Sequence, residues 1–458
     1  MHHTTVTIVG AGQAGLAMSH CLSARSIDHV LLERGRVANS WHTERWDSLR
    51  LLTPNWLSRL PGWRYRGDDP DGYMTAAQVA AHLDGYRRHL DAPVREHTTV
   101  RSVRSGPADD FVVTTDGDRW RSRAVVIASG ASSDPHRPAL HSRLPATMTQ
   151  LTSVGYRNPG QAGDAVLVVG ASASGVQIAD ELARQGRRVV LAVGDHVRLP
   201  RTYRGRDIHW WLDAIGQLDE GLGDVEDLDR ARRLPSLQLV GSPDRRNLDL
   251  ATLAARGVEL VGRLVGVTAD ALQFSGGLAH LCRAADLKLG RLLDRIDLHC
   301  GERGLAVVAA PDRPEPVRLG TVRTVIGIGA FDTVVWATGF RPHYPWLDEH
   351  HLDRKGGLRH DGGVLEQPGL YVLGLPFTRR RKSSFLDGVG PDAVELTEHL
   401  AGHLDTGRRS RSPGTRVGPS GRPDQTGVSS AAPKDTLNRS HQMLTLVRPS
   451  MSVPAGTG

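Results

Sequence analysis

The chain has 458 residues, 39% hydrophobic and 23% charged, which is enough for two or three domains with sizeable cores. Its formal charge of +7 sits mostly at the C-terminal end, where eight Arg or Lys follow Thr406 against Asp424 and Asp435. The remainder is near neutral, which excludes an electrostatic case for nucleic-acid binding by the folded body. No apolar run approaches the roughly 20 residues of a membrane helix, so no integral membrane segment is expected.

The first residues, MHHTTVTIVG, show no basic region followed by an apolar stretch and a small-residue cleavage site. They predict a protein without a signal peptide, placed in the cytoplasm. Cys21, Cys282 and Cys300 are far apart, and no C-x-x-C is present. Neither a dithiol centre nor a metal site is expected.

Thr5 to Arg34 organises the chain. Val6 to Val9 reads as a strand, Gly10, Gly12 and Gly15 follow in G-x-G-x-x-G spacing, and Ala14 to Arg25 reads as a helix. His29 to Leu32 reads as a second strand closed by Glu33. This is the order of a dinucleotide-binding βαβ unit, in which the glycines admit a tight turn, a pyrophosphate and a closely packed helix. Free N–H groups at the helix start favour phosphate. Glu33 is suited to a ribose diol.

Next comes a stretch rich in Trp, Arg and Pro, from Asn39 to Asn55. It reads as loop and short helix forming a wall of the cofactor crevice. Thr75 to His89 has helical spacing. Thr99 to Val103, Phe111 to Thr115 and Arg119 to Arg121 look like a small meander. AVVIASG, residues 124–130, and TVVWATGFRP, residues 333–342, are apolar strands ending in small residues. They suggest two returns of the chain to one ligand.

Asp164 to Val193 repeats the opening unit. A shift of 160 residues places Gly170, Ser172 and Gly175 where Gly10, Gly12 and Gly15 stood, and Val193 where Glu33 stood. The acid is gone, and Arg198, Arg201, Arg204 and Arg206 lie just beyond. Removing a carboxylate and supplying arginines suits a 2′-phosphate, so this unit is expected to take NADPH and the first FAD.

HWWL, residues 209–212, either shields a nicotinamide or packs. Residues 284–298 have the apolar spacing of a packed helix (Leu287, Leu289, Leu292, Leu293, Ile296). PGLYVLGLP reads as a closing strand, followed by the Gly-containing turn Lys382 to Gly390, an anion- or ring-edge site, and a helix from Pro391 to about His403. From Thr406 the composition turns to Arg, Ser, Pro and Gly, a disordered basic tail.

Two dinucleotide units in one chain allow hydride to pass from nicotinamide to flavin. With no C-x-x-C and no Cys/His cluster to carry electrons onward, oxygen chemistry is the common remaining outcome. The motifs VTIVGAGQAGLA, VLLERGRVANSW, RWDSLRLLTPN, VVIASG, VLVVGASASGVQIADEL, LPRTYRGRDIHWWLD, VVWATGFRPHYPWL and PGLYVLGLPFTRRRKSSFLDGVGPDA together resemble the class B flavin-dependent monooxygenases, nearest to CzcO-like and YUCCA-like enzymes. The resemblance spans residues 5–402. It implies an α/β fold of two Rossmann-like domains, with the NADP domain (156–322) inserted between the two parts of the FAD domain (1–155 and 323–405), and the tail at 406–458.

By this resemblance Gly10, Gly12, Gly15, Glu33, Arg34, Trp41, Val100, Ser129 and Asp387 contact FAD. Gly170, Ser172, Ser174, Gly175 and Arg198, with Arg201 beside it, contact NADPH. The partners implied are a small-molecule substrate and dioxygen, the reaction passing through a C4a-peroxyflavin. The family's F-x-G-x-x-x-H-x-x-x-[YW] motif falls on Ala146, Met148, Thr152 and Tyr156, so only Tyr156 is kept. Tyr156 and Asn55 are the catalytic candidates. An NADPH-dependent reductase or oxidase without oxygen insertion stays open, as does a non-catalytic flavin-binding redox sensor. Substrate identity and oligomeric state are not legible.

Overall fold

A computed structural model describes residues 1–107, 110–132, 134–304 and 309–409, with residues 407–409 as backbone only. The expected basic tail lies outside the described residues from Ser410 onward. Its first four residues, 406–409, belong instead to the closing helix.

Two sheets carry the chain. Their strands are, in order, β1 (His2–Val9), β2 (His29–Leu32), β3 (Val94–Arg95), β4 (Val100–Ser105), β5 (Phe111–Thr115), β6 (Arg119–Ile127), β7 (Thr149–Thr152), β8 (Ala165–Val169), β9 (Arg188–Ala192), β10 (Glu259–Val261), β11 (Thr333–Trp336), β12 (His360–Asp361), β13 (Val364–Leu365) and β14 (Leu370–Val372). The helices that matter are α1 (Gln13–Ala24), α2 (Asn39–Thr43), α3 (Ala76–Leu90), α4 (Ala173–Arg184), α5 (Ile208–Ala214), α6 (Leu278–Glu302) and α7 (Val389–Arg409).

The first sheet has nine strands in the path β12-β13-β14-β6-β1-β2-β3, with β4 and β5 hung from β6. The run β14-β6-β1-β2-β3 is parallel. The second sheet has five strands, β7-β11-β8-β9-β10, all parallel. Parallel strands are covered on both faces, so they read as near-continuous apolar runs. Val125, Val126 and Ile127 of β6, and Val166, Leu167 and Val168 of β8, are fully or almost fully buried. Each such side chain contributes about 1.5–3 kcal/mol of transfer free energy. One face of the first sheet packs on α1, α3 and α7 through Leu16, Leu22, Leu83, Leu396 and Leu400.

Several elements differ from the sequence reading. The segments at 119–121 and 124–127 are one long strand, β6, which runs parallel to β1 from Trp120 to Ile127 while its first half also closes the meander. β7 and β11 both belong to the second sheet, which therefore extends past 156–322 at each end. α6 starts six residues before the expected helix, and Leu287 is 58% exposed while Leu289, Leu293 and Ile296 are buried. Trp211 packs fully buried, its indole N–H donating to the Tyr203 carbonyl at 2.6 Å. α3 begins with a reciprocal capping box, Thr75 and Gln78 each satisfying the other's backbone amide. Among the described residues no helix is long and apolar enough to cross a membrane.

Candidate functional site

Both Gly-rich turns are built alike. Gly10 has φ +106° and its amide donates to the Leu32 carbonyl at 2.8 Å; Gly170 has φ +107° and donates to Ala192 at 2.9 Å. Ala128 binds back to Val9 at 2.9 Å, and Ala337 to Val169 at the same distance. A Cβ on Gly10 would lie 2.6 Å from the Ala128 carbonyl oxygen, and one on Gly170 would lie 2.3 Å from that of Ala337. The strands ending at Ala128 and Ala337 thus serve one turn each, in different sheets. Small residues are needed at each strand end because a glycine turn crosses it, and the segments that follow, 134–136 and 339–341, pair with each other.

Gly15 and Gly175 carry the helices. A Cβ on either would meet the carbonyl oxygen of Gly10 or Gly170 at 2.0 or 1.8 Å. Gly12 is different, for a Cβ there would find nothing within 4 Å. α1 and α4 both begin without a side-chain cap. Gly12, Gln13 and Ala14 at the start of α1 line a cleft, which fits a pyrophosphate there.

The first turn opens onto a cleft of about 310 Å³. Gly10, Gly12, Glu33, Arg34, Trp41 and Ser129 all line it. Glu33 is 7% exposed and accepts the Ala11 amide on Oε2 at 2.8 Å and the Gly35 amide on Oε1 at 3.0 Å. A carboxylate has about four acceptor sites, so two remain for a ribose diol. α2 and the residues after it form a wall through Trp41 and Arg45, as the Trp-rich stretch predicted. The closing loop contributes Gly374, Pro376 and Ser384, tied to α1 by Gln13, whose amide donates to the Ser384 carbonyl at 2.7 Å. These residues fit FAD.

Two expected contacts lie elsewhere. Val100 is buried in the apolar cluster beneath the meander. Asp387 sits just before α7, holding Lys382 at 2.8 Å and Arg59. The closing turn, read from the sequence as an anion- or ring-edge site, reaches the cleft through Ser384, and Arg45 stands in the wall that the Asn39 to Asn55 stretch was expected to form, though it was not singled out there.

At the second turn, Ser172 is the residue before α4, and Ser174 and Gly175 form its first turn. Val193 is fully buried and binds Val261 through its backbone, as Glu33 binds Arg95. The arginine assignment is corrected. Arg198 is 3% exposed and spent on Asp249 (2.9 Å), Asp286 (2.6 Å) and the Glu315 carbonyl (2.5 Å). Arg201 is 0% exposed and binds Asp207 (2.8 Å), the Leu52 carbonyl (2.8 Å) and His209 Nδ1 (2.9 Å), with its guanidinium 4.8 Å from the Tyr73 ring centre. Burial works to raise the Asp207 carboxyl, but His209, Arg201 and the Tyr73 hydroxyl outweigh it and hold it far below the usual carboxylate range. Arg204 pairs with Asp297 at 2.6 Å, and Arg206 lies on Trp210. Strand-end arginines that a one-dimensional reading sends to a phosphate are pulled inward because acids from distant elements converge on them. An exposed cation does stand at the end of β9: Arg263, paired with Asp195 at 2.5 Å and with its Nε 3.8 Å from where a Gly194 Cβ would be.

Neither catalytic candidate faces the cleft. Tyr156 is fully buried in the core of the second sheet and donates to Glu181 at 2.8 Å. Burial, then Glu181, pushes its phenol far above the ordinary range. Asn55 is 4% exposed, donating to the Asp69 carbonyl and accepting the Met74 amide, both at 2.8 Å. It organises the loop from 55 to 74.

Comparison with known proteins agrees with this geometry. A family model for pyridine nucleotide-disulphide oxidoreductases matches residues 7–205. An uncharacterized CzcO-like oxidoreductase of Geobacillus kaustophilus is 30% identical over 406 residues, covering 88% of this chain and 99% of its own. The probable indole-3-pyruvate monooxygenase YUCCA1 of Arabidopsis thaliana is 26% identical, covering 86% of this chain and 88% of its own. A flavin-containing monooxygenase structure from Stenotrophomonas maltophilia superposes with a TM-score of 0.62 at 22% identity, over 88% of this chain and all of the other. With two matched dinucleotide turns on two parallel sheets and a full-length relative at this identity, the chain belongs to the CzcO-like oxidoreductases.

Proposed function

We propose that the protein is a monooxygenase that uses NADPH and FAD to oxygenate a small organic molecule, either a soft nitrogen or sulfur nucleophile or a carbonyl compound. The observation that carries the reading is the pairing of two like-built turns with unlike ribose positions, Glu33 at the first and Val193 at the second. A hydride relay needs a nicotinamide and a flavin in separate sites, and unlike ribose positions support two different dinucleotides. The three cysteines are buried, separate thiols, which supports an oxygen outlet over a dithiol relay. Relatives named for indole-3-pyruvate oxygenation support the same class.

The chemistry supplied by bound FAD is hydride acceptance from NADPH and reduction of dioxygen, one oxygen atom going to the substrate and one to water. In the proposed arrangement Glu33 orients the adenosine end, α1 receives the pyrophosphate, and Trp41 with the closing loop keeps water from the cleft. The proposed domains are an FAD domain split around an NADP domain, in a cytoplasmic protein; reduced, unpaired thiols support that compartment.

The test supplies the holoprotein with NADPH, ¹⁸O-labelled dioxygen and a panel of amines, sulfides and 2-oxo acids. One labelled atom per product molecule, with NADPH consumed one for one, is expected. If every reducing equivalent appears as hydrogen peroxide and no product carries label, the oxygenase reading is wrong.

A further inference from the structure

The best-buried arginines of this protein are neutralised by acids. Arg198 has Asp249 and Asp286, Arg201 has Asp207, and Arg380 has Asp392 and Glu395. Arg45 breaks the pattern. It lines the first cleft and lies over the Trp41 ring, 5.2 Å from its centre. Among the described residues its side chain hydrogen-bonds only the Glu44 carbonyl, at 3.2 Å. The neighbouring Glu44 carboxylate is committed to Arg34 at 2.5 Å. Arg157 approaches from the segment after β7 and donates to the Arg45 carbonyl at 2.5 Å. Among the described residues neither Arg45 nor Arg157 forms an ion pair. Burial lowers the Arg45 pKa, Glu44 partly offsets this, and Arg157 adds repulsion.

A cation withdrawn from water without a counter-charge costs free energy unless a ligand supplies one. A guanidinium held over an indole still offers a planar fork of donors, the geometry that meets a phosphate or carboxylate with two hydrogen bonds. We propose that Arg45, backed by Arg157, is an anion-recognition site in the wall of the first cleft. The group it recognises is a planar or tetrahedral oxyanion. It comes from one of two sources, the pyrophosphate of the bound dinucleotide or the carboxylate of an acidic substrate. The proposal rests on FAD occupying this cleft.

The experiment compares wild type with R45Q, R45K and R157Q as purified holoproteins. FAD release on dilution, followed by flavin fluorescence at low and high salt, tests the first source. R45Q is expected to weaken FAD at least tenfold and flatten the salt dependence, with R45K intermediate. Perturbation of the flavin absorbance by phenylacetate, against neutral phenylethanol, tests the second source. There R45Q loses the phenylacetate response and keeps that to phenylethanol. Either pattern supports the site. If R45Q holds FAD and phenylacetate as wild type does, or loses charged and neutral ligands alike, the proposal is overturned. Should R45Q fail to fold, R45K and R157Q carry the same comparison. A folded wild-type protein that binds no FAD would instead remove the cofactor assignment of the cleft.

Discussion

Glu33 Oε2 lies 2.8 Å from the amide of Ala11, so the acid that closes β2 reaches back across the sheet end to hold the Gly-rich turn. Its other oxygen holds Gly35. One carboxylate therefore shapes the turn and lines the cleft. Glu33→Gln replaces one acceptor oxygen by an NH₂ that faces a backbone N–H. A hydrogen bond to a charged group contributes about 1.5–3 kcal/mol, and a loss of that order is expected in thermal or denaturant unfolding. FAD affinity should fall at least tenfold in the same variant, read by flavin fluorescence. Unchanged FAD binding would separate Glu33 from the cofactor.

The glycines of the first turn are expected to divide by role. Gly15→Ala places a methyl 2.0 Å from the Gly10 carbonyl oxygen, a collision that only backbone movement relieves. It should lower stability and FAD binding together. Gly12→Ala meets nothing within 4 Å, so its stability should stay within about 0.5 kcal/mol of wild type. Its FAD affinity should nevertheless drop, because the methyl enters the space a pyrophosphate needs. A Gly12→Ala protein that keeps full FAD affinity would show that the phosphates lie elsewhere.

Much of this arrangement was legible in the residues. The two βαβ units were readable because the parallel strands are buried on both faces and each ends at a glycine that no other residue can replace, Gly10 and Gly170. Glu33 was readable because its position is fixed by the strand it follows. Arg198 and Arg201 were misread because their partners Asp249, Asp286 and Asp207 come together only in the folded chain. Tyr156 was misread for a similar reason: its motif neighbours are absent, and its hydroxyl is claimed by Glu181. The unpaired charge of Arg45 could not be seen in a chain where arginine is abundant. Its significance depends on Glu44 being taken by Arg34.

Arg198 and Arg263 should respond oppositely to nucleotide choice. Arg198→Met leaves Asp249 and Asp286 facing each other without their cation. Breaking a buried pair this way costs about 3–5 kcal/mol, so the variant should unfold at markedly lower temperature. Its preference for NADPH over NADH, measured as a ratio of kcat/KM values, should be unchanged. Arg263→Gln removes an exposed cation beside the end of β9 and should leave stability nearly untouched. The NADPH preference should fall by tenfold or more. A preference that follows Arg198 and ignores Arg263 would reverse both assignments.

Stability at neutral pH should carry the mark of Asp392. This residue lies fully buried near the start of α7, with Arg380 on Oδ1 at 2.7 Å and, among the described residues, no hydrogen-bond partner on Oδ2. Burial pushes its carboxyl from 3.8 up to about 6, against the lowering effects of Ser383, Arg380 and Arg379, while Glu395 adds to the rise. A folded-state value above the unfolded one favours the protonated form. The associated stability is fully present below about pH 4 and is lost as pH rises through about 6. A displacement of this size corresponds to about 3 kcal/mol. Asp392→Asn keeps the shape and cannot ionise. Relative to wild type, it should gain stability steadily between pH 4 and pH 7 and then level off. The measurement is denaturant unfolding of both proteins across that range, and a difference that stays flat, or grows toward low pH, would show that Asp392 is already ionised when the protein folds.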